Sequence, residues 1–480
     1  MSIINGPRRW LISRWRALFV FALALAGLTG CADSRLPPAH TVALSDEFSL
    51  RNAGNIQSFQ AYLQLEDRVF GQLDELVYSQ GPTGPEYSLA RYSRGSLADP
   101  SRRQPNWNRS FELAGREEQG AVLLLHGMSD SPYSLRALGQ ALHKRGFRVL
   151  GLRLPGHGTA PSGMTSVSWQ DMSAAVRLAM THLAQRVDDR SVHIIGYSTG
   201  AALALDYALQ AEQGTAGPSP SSLVLISPAI GISPAAALAR WKRRLSLLPG
   251  LDRLAWLQVA PEFDPYKYNS FATNAAEQVH SLTSSVARRI AARSGTESLL
   301  PPMLVVKSTV DATVSNDAVV DRLLLQLSAN RHELVLFDIN RFAANASLLV
   351  EDPEPFTRRM IANEQLPFSL RLITNTSAGS RGVEASYKPP YSVAPSHAER
   401  LAQQWPRGVF SLSHVALPFP PDDPLYGSTS PSHRNELFLG KQAVQGERGV
   451  LKISGDFLLR LRYNPFYDYT EQRVIDWLTR

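Results

Sequence analysis

Short, fully apolar segments alternate with amphipathic segments from about residue 119 to residue 340. The apolar segments predict strands at 121–125, 147–154, 192–196, 222–227, 303–306 and 333–339. The amphipathic segments predict helices at 134–145, 169–185, 199–209 and 317–327. Strands without a polar side are buried on both faces, and helical connections join parallel neighbours. The pattern therefore predicts an α/β fold with a mostly parallel sheet that helices cover on both faces.

Two longer segments, 231–300 and 342–408, interrupt this alternation. Neither segment has a linker-like flank, so we interpret both as insertions into one domain that spans residues 119–480. The first insertion is expected to form a helical cap over the site. For its basic and aromatic stretch, 241–256, we favour a helix packed on the core over a lid that touches lipid or binds an acyl chain.

The first 118 residues follow a different pattern. Residues 1–30 contain four arginines and no acidic residue, and an apolar run occupies 17–28. That run is shorter than the about 20 residues that span a bilayer, and its order of charge, apolar run and small residues predicts a signal peptide. Apolar residues recur at helical spacing between 46 and 80, so 31–118 is interpreted as a tether followed by an N-terminal helical region.

The sequence Leu28-Thr29-Gly30-Cys31 resembles the lipobox of bacterial lipoproteins. The resemblance implies that Cys31 is lipidated and anchors the exported protein to a membrane of the cell envelope. Ala32 follows the cysteine, which by the same resemblance implies the outer membrane in a Gram-negative cell. The alternative is an ordinary cleaved signal peptide with an incidental cysteine. Because Cys31 is the one cysteine of the sequence, it excludes a disulfide within the chain and a cysteine-based metal cluster.

The charge of the chain lies largely in its N-terminal segment. The formal net charge is +7, but without the four arginines of residues 1–30 the 49 basic residues become 45, against 42 acidic ones. A net charge of +3 provides no concentrated basic face, which argues against a nucleic-acid partner.

Candidate chemistry begins with Gly196-Tyr197-Ser198-Thr199-Gly200, a G-x-S-x-G motif between a predicted strand and a predicted helix. A nucleophile on so sharp a turn needs small residues two positions before and after it, and Gly196 and Gly200 meet that need. The turn would place Ser198 at the N-terminus of the helix, where backbone N–H groups favour negative charge. The alternative, a tight turn without catalytic purpose, is the weaker interpretation in this context.

The run from Ala121 to Gly158, which includes LLLHGM and RLPGHG, resembles the α/β-hydrolase superfamily when it is taken together with VHIIGYSTG. The similarity is greatest to the carboxylesterase and monoacylglycerol-lipase-like branch, which also includes serine aminopeptidase-like members. It is dense over about 119–230 and returns around 303–315 and 409–426. The resemblance implies hydrolysis of an ester-type small-molecule or lipid substrate by a Ser–His–Asp triad, without a metal or an organic cofactor. It also implies that the N–H groups of Met128 and Thr199 form the oxyanion hole, while His126 shapes its loop.

The superfamily orders its triad as serine, acid and histidine. Among the histidines after Ser198, His414 follows a strand-like run at 409–413 and precedes a proline-rich loop, so we expect it to be the general base. Four others are assigned to packing or to the surface: His280, His332, His397 in a polar helical stretch, and His433. The expected acid is Asp311, in a loop that resembles the family's acid loop (KSTVDATVS), and Asp338 is the competitor because the second insertion lengthens the spacing to the histidine.

Two further functions stay open at this point. The first is amide or peptide hydrolysis by the same three side chains. The second is a non-catalytic envelope lipoprotein that uses the fold for binding, although a binding role would not require a Ser–His–Asp set.

Overall fold

The computed structural model describes residues 36–231, 252–293, 300–328, 331–430, 436–440, 450–453 and 455–480. The predicted signal peptide, Cys31, most of the amphipathic stretch 241–256 and His433 lie outside these residues.

Ten strands of the described residues form one sheet, and two more form a small hairpin. The strands are β1 (Phe111–Leu113), β2 (Gly120–Leu125), β3 (Phe147–Leu152), β4 (Ser191–Tyr197), β5 (Ser222–Ile226), β6 (Trp256–Gln258), β7 (Phe271–Ala272), β8 (Met303–Ser308), β9 (Glu333–Phe337), β10 (Ser369–Asn375), β11 (Gly382–Lys388) and β12 (His397–Gln404). The sheet order is β1-β3-β2-β4-β5-β8-β9-β10-β11-β12, and the hairpin is β6-β7. In this sheet order, the seven neighbouring strands β3-β2-β4-β5-β8-β9-β10 pair in parallel. Strands β1, β11 and β12 pair antiparallel with their neighbours.

Helices cover the sheet and connect its strands. The helices of the described residues are α1 (Pro38–Thr41), α2 (Phe59–Leu76), α3 (Arg136–Lys144), α4 (Trp169–Val187), α5 (Thr199–Glu212), α6 (Thr273–Ala291), α7 (Asn316–Arg322), α8 (Glu354–Ala362), α9 (Gly455–Leu459) and α10 (Tyr467–Leu478). None of these helices is long and apolar enough to cross a bilayer.

The predicted α/β fold is confirmed, because every strand expected between 121 and 339 is present in the parallel part of the sheet. Every residue of β2, β5, β8 and β9 is buried. Such strands need apolar side chains on both faces, and that requirement is why their positions can be read from the sequence.

The segment 342–408, which we interpreted as an insertion into the domain, contributes strands to the central sheet. Three strands of this segment, β10 to β12, extend the central sheet beyond β9, and β10 pairs in parallel with β9. The prediction of a polar helical stretch around His397 is wrong, since His397–Gln404 is an edge strand. Its alternation of apolar and polar side chains is weak because most of its residues are exposed. Residues 409–413 form no strand either, and His414 begins a short 3₁₀ helix.

The N-terminal helical region packs on the loop that follows β3. The hydroxyl of Tyr62 on α2 donates to the carbonyl of Arg153 (2.6 Å). The buried guanidinium of Arg153 binds Glu66 at 3.1 Å and Glu47 at 2.9 Å. These ion pairs join the N-terminal region to the RLPGHG loop, and both lie within one compact unit, 38–480.

The described part of the predicted cap divides into two pieces. Helix α6 packs against α4 and α5, and Arg289 of α6 forms an ion pair with Asp206 of α5. This helix therefore belongs to the layer that covers the sheet. The preceding segment, 256–272, lies instead against the loop that follows β2, where the backbone N–H of Tyr268 donates to the carbonyl of Ser129 (2.8 Å).

Candidate active site

Ser198 occupies a sharp turn between β4 and α5. Its backbone has φ 54° and ψ −114°, a conformation that non-glycine residues rarely adopt. The turn is fixed from both sides, because the Ser198 N–H donates to Ile226 of β5 (2.9 Å) and the Ser198 carbonyl accepts from Ala201 of α5 (3.1 Å). The side chain is partly exposed, whereas its neighbours in the motif are buried. A hydroxyl presented in this way is accessible to a substrate.

The two glycines of the motif allow the backbones to approach closely. A Cβ atom at Gly200 would lie 2.0 Å from the carbonyl oxygen of Leu125, at the end of β2. A Cβ atom at Gly196 would lie 2.5 Å from the backbone nitrogen of Ala201. Both distances are far below van der Waals contact, so any larger residue would push α5 away from the sheet and displace Ser198.

The loop after β2 lies beside Ser198. A Cβ atom built on Gly127 would be 3.3 Å from the Cβ atom of Ser198. Within the described part of the chain, the backbone N–H groups of Met128 and Thr199 have no hydrogen-bond acceptor. Two unpaired N–H groups that flank a nucleophile can both donate to an oxygen that gains negative charge.

His126 holds the loop in shape as a neutral imidazole. Its Nε2 atom accepts from the Leu154 N–H (3.1 Å), so the proton lies on Nδ1, which donates to the Gly127 carbonyl (2.9 Å). Burial lowers the pKa of His126 well below its usual value, and the neighbouring His157 adds to that effect. Both ring nitrogens are thus used for structure, in agreement with the role expected for His126.

His414 and Asp311 form a buried pair. The Nδ1 atom of His414 lies 2.9 Å from Oδ2 of Asp311, whose side chain is fully buried. The other carboxylate oxygen accepts from the N–H groups of Thr313 (2.9 Å) and Val314 (3.0 Å). Burial opposes ionisation of Asp311, but the hydrogen bond and charge of His414, the charge of Lys307 and the loop N–H groups together hold its pKa well below the usual value. The carboxylate is therefore ionised and can orient the imidazole.

Asp338, the competing candidate for the acid, binds residues other than His414. Its carboxylate binds the guanidinium of Arg341 through two contacts of 3.1 Å and accepts from the Thr374 hydroxyl (3.1 Å). His332 lies at the opposite end of the sheet, where it accepts from the N–H at the start of β8. His280 lies on α6 and His397 on β12. The structure thus brings Asp311 and His414 together and keeps the competing residues apart from them.

Tyr197 connects the turn of Ser198 to His414. Its ring centroid lies 5.3 Å from that of His414, and its hydroxyl donates to the His414 carbonyl (3.4 Å). Because Tyr197 directly precedes Ser198, this contact sets the position of the histidine loop relative to the serine.

Three residues near the site were not expected from the sequence. Lys307 of β8 is buried and donates to Asp311 Oδ2 at 3.1 Å. Lys267 forms an ion pair with the buried Asp130 (3.2 Å). The backbone N–H of Tyr268 donates to the carbonyl of Ser129, whose φ is 64°. A lysine inside an otherwise apolar strand is a visible signal, whereas the contacts of 267 and 268 depend on the path of the preceding insertion. Across the described ranges, no group of three His, Cys, Asp or Glu side chains could hold a metal ion.

Comparisons with known proteins relate this chain to hydrolases. Residues 122–359 match the alpha/beta hydrolase family. A thermostable monoacylglycerol lipase from Bacillus sp. (strain H-257) is 34% identical over 109 residues, which cover 23% of this chain and 42% of the relative. The chain thus matches less than half the length of that relative.

Solved structures with detectable similarity include two further lipases. A monoacylglycerol lipase from Paleococcus ferrophilus is 19% identical, with 52% of this chain and 95% of that chain covered and a TM-score of 0.36. A soluble variant of the monoglyceride lipase from Saccharomyces cerevisiae is 12% identical, with 48% and 82% covered and a TM-score of 0.38.

The order of the parallel strands, the strained serine between β4 and α5 and the family match over 122–359 agree with one another. Residues 122–359 therefore match the alpha/beta hydrolase family, and the parallel sheet of this part of the chain agrees with that match.

Proposed function

We propose that the protein hydrolyses carboxylic esters, with Ser198 as nucleophile, His414 as general base and Asp311 as the acid that orients the histidine. The observation that carries the proposal is the 2.9 Å contact between His414 Nδ1 and Asp311 Oδ2, next to a serine held in a strained turn. The similarity to a named monoacylglycerol lipase supports an ester of an acyl chain as substrate.

The reaction starts when the Ser198 oxygen attacks the carbonyl carbon and its proton moves to His414 Nε2. The electron pair of the carbonyl bond moves to the oxygen, which the N–H groups of Met128 and Thr199 stabilise. Collapse of this intermediate breaks the ester bond, and the departing alkoxide takes the proton from His414. An acyl chain is then bound to Ser198.

Water completes the cycle. His414 removes a proton from the water as its oxygen attacks the acyl carbon, and then returns that proton to Ser198 as the carboxylic acid leaves. Throughout both steps Asp311 stays ionised, keeps the imidazole in the tautomer with a proton on Nδ1, and stabilises the imidazolium.

The test combines covalent labelling with turnover. A fluorophosphonate should label Ser198, and Ser198→Ala should lose both the label and nearly all hydrolysis of monoacylglycerols and of nitrophenyl esters of graded chain length. Ser227→Ala is the matched control, since Ser227 directly follows the adjacent strand β5, also has a positive φ (43°) and is fully buried. A Ser198→Ala variant that retains a large share of turnover would contradict the proposal.

Hydrolysis of peptide or amide substrates in place of esters would assign the same residues to a peptidase. Absence of labelling would favour a binding protein.

We also propose that Cys31 is lipidated and that the protein resides at a membrane of the cell envelope. If the source cell is Gram-negative, the proposed location is the outer membrane. The lipobox-like sequence 28–31 supports this proposal. Cells that produce the protein should incorporate radioactive palmitate into it, and Cys31→Ser should abolish the label. Ser34→Ala, which leaves the four-residue motif intact, should be labelled like the parent. A parent protein without label would instead indicate a secreted or periplasmic protein.

A further inference from the structure

Lys307 is a buried lysine in the middle of the catalytic arrangement. It lies on β8, which carries the loop of Asp311, and its side chain is 1% exposed. Its ammonium donates to Asp311 Oδ2 (3.1 Å) and to the Val314 carbonyl (3.1 Å). Burial of an ammonium is costly unless it is paired, so a simple packing position would be occupied by an apolar residue.

The same carboxylate oxygen binds both the lysine and the histidine. Asp311 Oδ2 accepts from Lys307 Nζ at 3.1 Å and lies 2.9 Å from His414 Nδ1. Two bonds to one oxygen hold the ammonium and the imidazole close together in a buried environment. A positive charge at this distance disfavours a second positive charge on the ring.

We infer that Lys307 is a positioning residue with two effects, both transmitted through Asp311. It fixes the carboxylate toward His414, and it keeps His414 unprotonated, and therefore active as a base, to lower pH. This inference rests on the proposed function, because it concerns the same Ser198, His414 and Asp311.

Other charged or titratable groups also face this pair. Tyr197 packs on the His414 ring, and Arg460 donates to Thr313 in the Asp311 loop (3.3 Å). Asp130, with its partner Lys267, interacts electrostatically with His414, and Arg462 interacts with Tyr197. None of them is substituted in the Lys307 variants, so a difference in pH dependence between variants is assigned to the lysine.

The experiment measures the rate of fluorophosphonate labelling of Ser198 and kcat/KM for one activated ester between pH 4 and 9. In Lys307→Met and Lys307→Gln the midpoint of the acidic limb should move up by about one pH unit, because the uncompensated carboxylate favours the imidazolium. The plateau should fall more in Lys307→Met than in Lys307→Gln, since glutamine can still donate a hydrogen bond to the carboxylate.

Lys388→Met is the matched control. Lys388 has the same low solvent exposure of 1%, but it lies nearer the surface on β11 and donates to the backbone carbonyls of Met360 and Asn363. Its replacement reports the cost of losing a buried lysine and should leave the midpoint unchanged.

An unchanged midpoint in both Lys307 variants would overturn the inference, whatever happens to the plateau. If Lys307→Met does not fold, Lys307→Gln decides. If neither folds while Lys388→Met does, the lysine serves the fold and the inference is also overturned. Absence of labelling in the parent protein would instead contradict the proposed function, so the two failures are distinguishable.

Discussion

His414 and Asp311 are 103 residues apart in the chain, yet His414 Nδ1 lies 2.9 Å from Asp311 Oδ2. The intervening chain does not separate them, because its strands β9 to β12 extend the sheet sideways from β8. The chain then returns along 409–413, where Val409 and Phe410 accept hydrogen bonds from Asn340. A long excursion in the plane of the sheet therefore leaves the acid and histidine loops adjacent.

Replacement of the two candidate acids separates their roles. Asp311→Asn should lower turnover of an activated ester by up to about 10⁴-fold, because the amide can hold the wrong imidazole tautomer. Asp338→Asn should keep near-normal turnover, since Asp338 binds Arg341 and Thr374. Both variants are first compared by circular dichroism and thermal melting.

The reverse pattern, with normal turnover in Asp311→Asn and collapse in Asp338→Asn, would transfer the acid role to Asp338. Normal turnover in both variants would place the acid elsewhere.

Gly127→Ala tests the space in front of the nucleophile. The added methyl group would lie 3.3 Å from Ser198 Cβ and 2.9 Å from Asp130 Oδ2, so either the Asp130 carboxylate or the loop that carries the Met128 N–H must shift. We expect kcat to fall by about 10²-fold or more, as when one oxyanion donor is lost. Gly71→Ala is the control, because its site on α2 has no atom within 4 Å and a helical Gly→Ala change should stabilise by up to about 1 kcal/mol. Unchanged kcat in Gly127→Ala would contradict the assigned oxyanion loop.

Arg153 should contribute strongly to stability. Its guanidinium is 1% exposed and pairs with Glu66 and Glu47, so Arg153→Met leaves a buried carboxylate without its partner. Loss of one partner of a buried pair costs about 3–5 kcal/mol, which urea denaturation can measure. Arg94→Met removes a solvent-exposed pair with Asp74 (3.2 Å) and should cost less than about 1 kcal/mol. Equal costs in the two variants would contradict this account.

The residues of the G-x-S-x-G turn and of the parallel strands could be predicted because their requirements are local. A fully buried strand needs an apolar run, and Gly200 is required because a Cβ atom there would lie 2.0 Å from the carbonyl oxygen of Leu125. Strand β12 could not be predicted, since an exposed edge strand needs no apolar side and its polar sequence is equally compatible with a helix. The sequence favours Asp311 but keeps Asp338 as a competitor, because the ion pair that engages Asp338 involves Arg341, whose position is set by tertiary structure.

The pH dependence of stability should reveal the buried histidines, with His332 as the clearest case. Burial lowers the pKa of His332 from 6.5 to about 4, and its Nδ1 accepts from the Met303 N–H at the start of β8, which requires a neutral ring. Between pH 6.5 and 4 the unfolded chain therefore binds a proton that the folded chain does not. The contribution of the neutral His332 to the free energy of unfolding is therefore fully present above pH 6.5. It decreases as the pH falls to about 4, by on the order of 3 kcal/mol for such a group.

His332→Asn keeps an acceptor for the Met303 N–H but removes the titration. Its free energy of unfolding, measured by urea denaturation from pH 8 to pH 4, should decline less steeply with falling pH than that of the parent. Three other buried histidines, whose pKa values burial also lowers to about 4, should maintain part of the decline: His40, His157 and His193. Parallel curves for His332→Asn and the parent would mean that His332 is not held neutral in the folded protein, and a steeper curve for the variant would reverse the sign of the argument.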